Sequence, residues 1–154
     1  MLEKPQITHI ANRLTAIIRL TIPREEIQQV MGEGVSELMA TIASQNITPT
    51  GPWFTHHLKF EPGIFDFEIS VPVSAPVVSA GRVRPSQWPA MKVAQAVYHG
   101  EYEGLGQAWS ELDEWILAQG ETPAEDLWEC YVISPKSNAD PATWRTELNR
   151  PLIG

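Results

Sequence analysis

Laid against itself with a shift of 74, the chain places Gly32, Ser36, Glu37, Leu38, Ile42, Gln45, Thr48 and Pro49 on Gly106, Ser110, Glu111, Leu112, Ile116, Gln119, Thr122 and Pro123. Eight identities between positions 32 and 55 far exceed the roughly one or two that chance gives, so the match marks an internal repeat. A shift of 79 then sets Phe65, Glu68, Ile69, Pro72 and Val73 on Trp144, Glu147, Leu148, Pro151 and Leu152, so the second copy carries extra residues in one loop, Ser134 to Thr143. The period is longer than the roughly 20 to 50 residues of solenoid repeats and occurs twice, which predicts a duplicated half-domain with a pseudo-twofold axis and a cleft between its halves. At 154 residues the whole chain, 1–154, fits one domain, with half-repeats at about 1–76 and 77–154.

Each copy reads as strand, helix, strand, strand. In the second, Met91 to Tyr98 is rich in β-branched and small apolar residues and predicts a strand that Gly100 breaks. Leu105, Ala108, Trp109, Leu112, Trp115 and Ile116 recur at helical spacing as one apolar stripe, while Glu101, Glu103, Glu111, Asp113 and Glu114 are expected to face water. Gly120 supplies a stop, and Leu127 to Ile133 and Trp144 to Leu148 complete the copy as antiparallel strands. In the first copy the same order falls on Thr15 to Ile22, Ile27 to Ser44, Trp53 to Phe60 and Phe65 to Val73. Proline-rich segments, Val71 to Val78 and Arg84 to Pro89, join the copies, with a linking strand expected around Val77 to Val83. The fold class is α+β, an antiparallel sheet with helices on one side.

Composition narrows the function. A net charge of −8 argues against a nucleic-acid partner, because affinity for phosphate backbones rests on Lys and Arg displacing counterions. No apolar run reaches the roughly 18 residues of a membrane span, and Glu3 and Lys4 stand where a signal peptide is apolar, so a cytoplasmic address is expected. The single cysteine, Cys130, excludes an internal disulfide and a paired-cysteine metal site, and lies among apolar neighbours without an evident base. His56 and His57 are adjacent, so a strand points them to opposite faces, and His9 and His99 are distant; no metal is expected. Gly104 and Gly106 lack the strand-to-helix turn of a dinucleotide fingerprint and read as helix-start or packing glycines; no cofactor is implied.

One charge breaks the pattern. Alternation puts Leu127, Glu129, Tyr131 and Ile133 on one face of their strand and Trp128, Cys130 and Val132 on the other, so both faces are apolar except at Glu129. One face must pack on the helix, and a carboxylate there is paired, protonated or turned toward a ligand. Its counterpart in the first copy is Thr55, so the half-domain does not require an acid here. A solvent-exposed strand end, or a structural pair with Arg145 or Lys92, is the alternative. Of six tryptophans, Trp109 and Trp115 repeat with leucines and read as core, whereas Trp53, Trp88 and Trp144, with Tyr98 and Tyr131, are candidates for an aromatic wall suited to flat or cationic ligands.

Pro89 and Ala90 before the strand, Gly100 and Tyr102 before the helix, Trp115 and Gly120 late in it, Glu129 with Tyr131, and Thr146, Glu147, Leu148, Pro151 and Leu152 form an ordered set. In these residues the chain resembles the gyrase-inhibitor-like (GyrI-like) small-molecule-binding domains, which also serve as effector-binding modules of multidrug-responsive transcription regulators. The resemblance implies a duplicated strand-helix-strand-strand fold whose acidic residue, here Glu129 with Tyr131, meets ligands that are often cationic and aromatic; the strand reading and the pseudo-symmetry add Trp53, Thr55, Trp88, Tyr98 and Trp144 to the ligand-binding set. Glu101 stands where the family often has proline, and the first copy lacks the family's glycine-rich turn. Two functions follow. One is a stand-alone binding or sequestering domain, with transcription control requiring a partner chain because no helix-turn-helix segment remains. The other is a hydrolase that opens cyclopropane-containing electrophiles, with Glu129 as general acid or base and Tyr131 orienting water or leaving group.

Overall fold

The computed structural model describes residues 2–23, 26–61, 64–133 and 138–153, so the loop expected at Ser134 to Thr143 falls partly outside the described residues. In chain order the elements are strands β1 (Gln6–Ile10) and β2 (Arg13–Pro23), helix α1 (Ile27–Ser44), and strands β3 (Phe54–Glu61), β4 (Ile64–Pro72), β5 (Arg84–Trp88) and β6 (Met91–His99). Helix α2 (Leu105–Ala118) and strands β7 (Thr122–Pro123), β8 (Leu127–Ile133) and β9 (Arg145–Ile153) follow. The chain divides into two compact units, Ala11–Ala90 and Met1–Ile10 with Met91–Gly154. No helix among the described residues is long and apolar enough to cross a membrane.

In the Ala11–Ala90 unit the strand order is β3-β4-β2-β5, every pair antiparallel. Helix α1 packs on β2 and β4, closing a core that includes Ile18, Leu38, Ile42, Ile69 and Val71. A Cβ on Gly34 would overlap the Ile69 side chain, so this glycine sets how closely the helix approaches the sheet. The other unit has the order β8-β9-β6-β1, again antiparallel, with β7 added at the end of β9. Its core joins Ala108, Leu112 and Ile116 of the predicted helical stripe to Ala94, Ala96 and Leu148 of the sheet.

Several positions related by the sequence shifts of 74 and 79 have like settings in their own units. Leu38 and Leu112 are both fully buried under their helices. Asn46 (φ 57°) and Gly120 (φ 77°) both follow their helix in the left-handed conformation that frees the chain to turn back. Pro49 bridges Val73 as Pro123 pairs with Leu152.

Three expectations are corrected. The linking strand is β5, after the Val77 to Val83 segment, which holds only the Ala80–Val83 bridge. Pro85 lies in β5, which pairs with β2 at the end of its unit's strand order, a position where proline is tolerated. Strand β1 carries no prediction, since only partly buried Thr8 and Ile10 hint at alternation along an otherwise exposed element. The last strand runs beyond Leu148 to Ile153, through Pro151. In α2, Glu111 and Glu114 are exposed as expected, but Asp113 is half-buried against β9.

Candidate functional site

Strand β8 is buried from Leu127 through Tyr131, so it is covered on both faces, as its sequence requires. Pairing puts Glu129 in a lateral row with Leu148 and Ala96, both in the core under α2, so the carboxylate lies on the helix side of the sheet. The next row on that side is Tyr131, Thr146 and Tyr98. Glu129 is only 8% exposed. Its Oε1 accepts from the Tyr131 hydroxyl at 2.8 Å, and its Oε2 accepts from the indole Nε1 of Trp109 at 2.6 Å. Hydrogen bonds to an ionised oxygen are about twice as strong as neutral ones, and two of them fix both oxygens. Both of these donors are neutral side chains that orient the carboxylate. Lys92 is paired with Glu121 at 3.0 Å, and Arg145 donates to the carbonyls of Ala142 and Trp144.

Trp109 is the main surprise. The helical spacing that marks it as core is real, because it packs against Leu112 and its neighbours, yet it sits at the edge of the stripe and turns its one polar atom to Glu129. Nothing in sequence spacing reveals that edge.

Around this pair the aromatic side chains are layered. Tyr102, in the single 3₁₀ turn Tyr102–Gly104 before α2, stacks on Trp144 with centroids 5.3 Å apart and meets Tyr131 edge-on at 5.9 Å. Burial, and then the charge of Glu129, push the Tyr102 hydroxyl up to about 12. That hydroxyl and Thr146 Oγ1 are buried and have no hydrogen-bond partner among the described residues. Trp144 anchors its own Nε1 on the Asn138 carbonyl at 2.9 Å. Sequence reading names Tyr102 and Thr146 only within the family-like set and not as site residues.

Tyr98 points elsewhere: it donates to the Glu101 carbonyl at 2.8 Å, beneath Gly104, where any Cβ would overlap the phenol oxygen. Gly104 is therefore the packing glycine its sequence setting indicates. Tyr98 lines an open cavity of about 220 Å³ with Leu2, Gly104, Gln107, Ala108 and Glu111, and Glu129 is not among its walls.

Trp53, Thr55 and Trp88 belong to the Ala11–Ala90 unit. Trp53 packs at the edge of that unit's core. Trp88 is buried against Phe54, centroids 4.9 Å apart, and under the Arg13 guanidinium at 4.8 Å. Thr55 is fully buried and its hydroxyl is 3.1 Å from His57 Nε2, while the His57 ring stacks on Phe67 at 5.5 Å. His56, on the opposite face, meets Glu68 at 3.2 Å.

The sequence model of the GyrI-like small molecule binding domain matches residues 3–152. No curated protein matches the chain by sequence. Among solved structures, the C-terminal domain of EcmrR superposes with a TM-score of 0.82 at 20% identity, covering 97% of this chain and 97% of that one. In the EcmrR–DNA complex the TM-score is 0.83 at 20% identity over 97% of this chain, which spans 57% of EcmrR. A hydrolase from Listeria innocua gives 0.70 at 14% identity, over 97% of this chain and 92% of that one. SAV2435 bound to tetraphenylphosphonium gives 0.65 at 15% identity, over 99% and 95%. At these identities the likeness establishes the fold.

Proposed function

Because the chain belongs to the GyrI-like small-molecule-binding domain family, we propose that it captures a small aromatic cation at Glu129. The observation that carries this reading is the carboxylate itself: 8% exposed, held by Trp109 and Tyr131, and placed in an aromatic setting that Tyr102 and Trp144 extend. A cation entering such a site meets a fixed negative charge in low dielectric and ring faces that attract it. Apolar burial of its body supplies the rest of the affinity. The net charge of −8 favours the approach of cations over anions. The buried hydroxyls of Tyr102 and Thr146 offer polar contacts to a ligand or to ordered water. The fold neighbour SAV2435 was solved with such a cation, tetraphenylphosphonium.

Hydrolysis is the second reading, favoured by the likeness to the Listeria innocua hydrolase. In it Glu129 takes a proton from water as the water oxygen bonds to one cyclopropane carbon, the C–C bond to the neighbouring ring carbon breaks, and Glu129 returns its proton to that carbon. Both oxygens of Glu129 are already engaged as acceptors, from Trp109 and Tyr131, an arrangement that suits holding a cation better than taking a proton from water.

Calorimetric titration with tetraphenylphosphonium tests the first reading. Glu129→Gln, which keeps size and loses charge, is expected to weaken binding at least tenfold; an unchanged dissociation constant removes Glu129 from the site. Glu129-dependent ring opening of a cyclopropane-bearing electrophile would instead establish the second.

A further inference from the structure

Beyond the residues around Glu129, a second layer of polar side chains runs through the same unit. Arg150 lies on β9, in a row with Ala94 of β6, on the side that packs against α2. Its Nε donates to the Ala124 carbonyl at 2.9 Å and lies 3.8 Å from Asp113 Oδ1, and its guanidinium carbon stands 5.9 Å from the centroid of the Trp109 ring. Its side chain is 14% exposed. Trp109 and Asp113 are one helical turn apart on α2, so one guanidinium spans both, and Trp109 then donates to Glu129.

The repeat shows that the half-domain does not need this arrangement. Shifting back by 74, Trp109, Asp113 and Glu129 fall on Val35, Met39 and Thr55; shifting back by 79, Arg150 falls on Val71. Val35 and Val71 are buried in an apolar core and Met39 is exposed. The copy with the acid therefore has the cation, the indole and the second carboxylate as well, and the copy without the acid has none of the four.

We propose that Arg150 is a positioning residue for the ligand site: held by Ala124 and Asp113, it attracts the face of Trp109 and fixes the indole so that its N–H meets Glu129. The attraction of a guanidinium for a tryptophan face depends on its planar, weakly hydrated shape, which lysine lacks. The proposal rests on the reading of Glu129 as the carboxylate that meets ligand, and two readouts keep their failures apart.

The first readout is the indole N–H resonance of Trp109 in ¹H–¹⁵N spectra of the full chain, identified by its loss in Trp109→Phe. It reports the bond to Glu129 without any ligand. It is expected to move upfield in Glu129→Gln and in Arg150→Met, and part of the way in Arg150→Lys. The second is the affinity for tetraphenylphosphonium, expected to fall about fivefold to tenfold in Arg150→Met and in Trp109→Phe, with the double variant no weaker than Trp109→Phe alone, as for residues acting in series. Unmoved indole resonances in the Arg150 variants, or losses that multiply in the double variant, overturn the proposal. If Arg150→Met does not fold, Arg150→Lys is judged by the same two criteria, and a wild-type indole resonance in it overturns the proposal alone. Failure of the wild-type chain to bind the cation would sink the functional reading, while the indole resonance still decides whether Arg150 positions Trp109.

Discussion

Thr55 and His57 of the first unit and Glu129 and Tyr131 of the second are related by the shift of 74, and each pair is joined across two residues of one strand, at 3.1 Å and 2.8 Å. Each lies on the helix side of its sheet, beside Ile69 and Phe67 in one case and Leu148 and Thr146 in the other. What differs is the helix above. α1 brings Val35 where α2 brings Trp109. In the first unit the Thr55 hydroxyl and His57 Nε2 serve one another within β3. A carboxylate needs more, and the indole supplies it. The scaffold thus tolerates a polar pair at this place, and charge is admitted only where the helix contributes a donor.

Exchanging the two positions breaks the comparison most severely. Thr55→Glu would put a longer, charged side chain at a fully buried site, and is expected to destabilise the chain by about 3 kcal/mol or more, measured by urea unfolding. A cost below about 1 kcal/mol would mean that the first unit can host a carboxylate unaided. Glu129→Thr leaves the Trp109 and Tyr131 donors without this acceptor but removes a buried charge; the opposing effects are expected to leave stability within about 2 kcal/mol while cation binding falls at least tenfold. Loss of folding in this variant would make Glu129 a structural residue.

The third test is smaller and concerns Tyr102, which serves only the second unit's site. Its hydroxyl titrates near 12 in the fold against an ordinary 10, so the neutral form is favoured by folding. That contribution is present in full below pH 10 and is lost as pH rises toward 12. Tyr102→Phe is expected to leave neutral-pH stability within about 1 kcal/mol, because the hydroxyl has no partner among the described residues, and to flatten the alkaline fall in unfolding free energy. Equal alkaline slopes in the two proteins would place the phenol in water.

The helices and the central strands were legible because burial imposes period on sequence. α2 and β8 match their expected spans closely, and Glu129 stood out because alternation leaves an acid no polar face. Strand β1 was not legible: a strand exposed along most of its length keeps no apolar alternation to read. In the site, Trp109 was hidden by a rule that is correct on average, since a tryptophan at helical spacing among leucines does pack in the core, and a single N–H leaves no trace in spacing. Tyr102 and Thr146 share that limit, because which polar atom of a buried row lacks a partner depends on three strands and a turn meeting. The water-facing expectation for Asp113 failed for the same reason: Arg150 approaches it from β9, 37 positions along the chain.

Asp113 also supplies the smallest predicted effect. Its carboxyl is shifted up by burial, against which Arg150 pulls it down, so at 3.8 Å the ion pair does not recover what burial costs the charged form. A raised carboxyl makes its stability contribution below its ordinary value of 3.8 and loses it as pH rises through the folded value, so at neutral pH the charge is a mild burden on the fold. Asp113→Asn, which restores a neutral residue at a place where the first unit has Met39, is therefore expected to change neutral-pH stability by less than about 0.5 kcal/mol in either direction. Relative to this variant, the wild-type chain should gain stability on acidification. If Asp113→Asn instead lost several kcal/mol at neutral pH, the ion pair with Arg150 would be holding α2 on its sheet, and the contrast between the two helices would be one of anchoring as well as of donors.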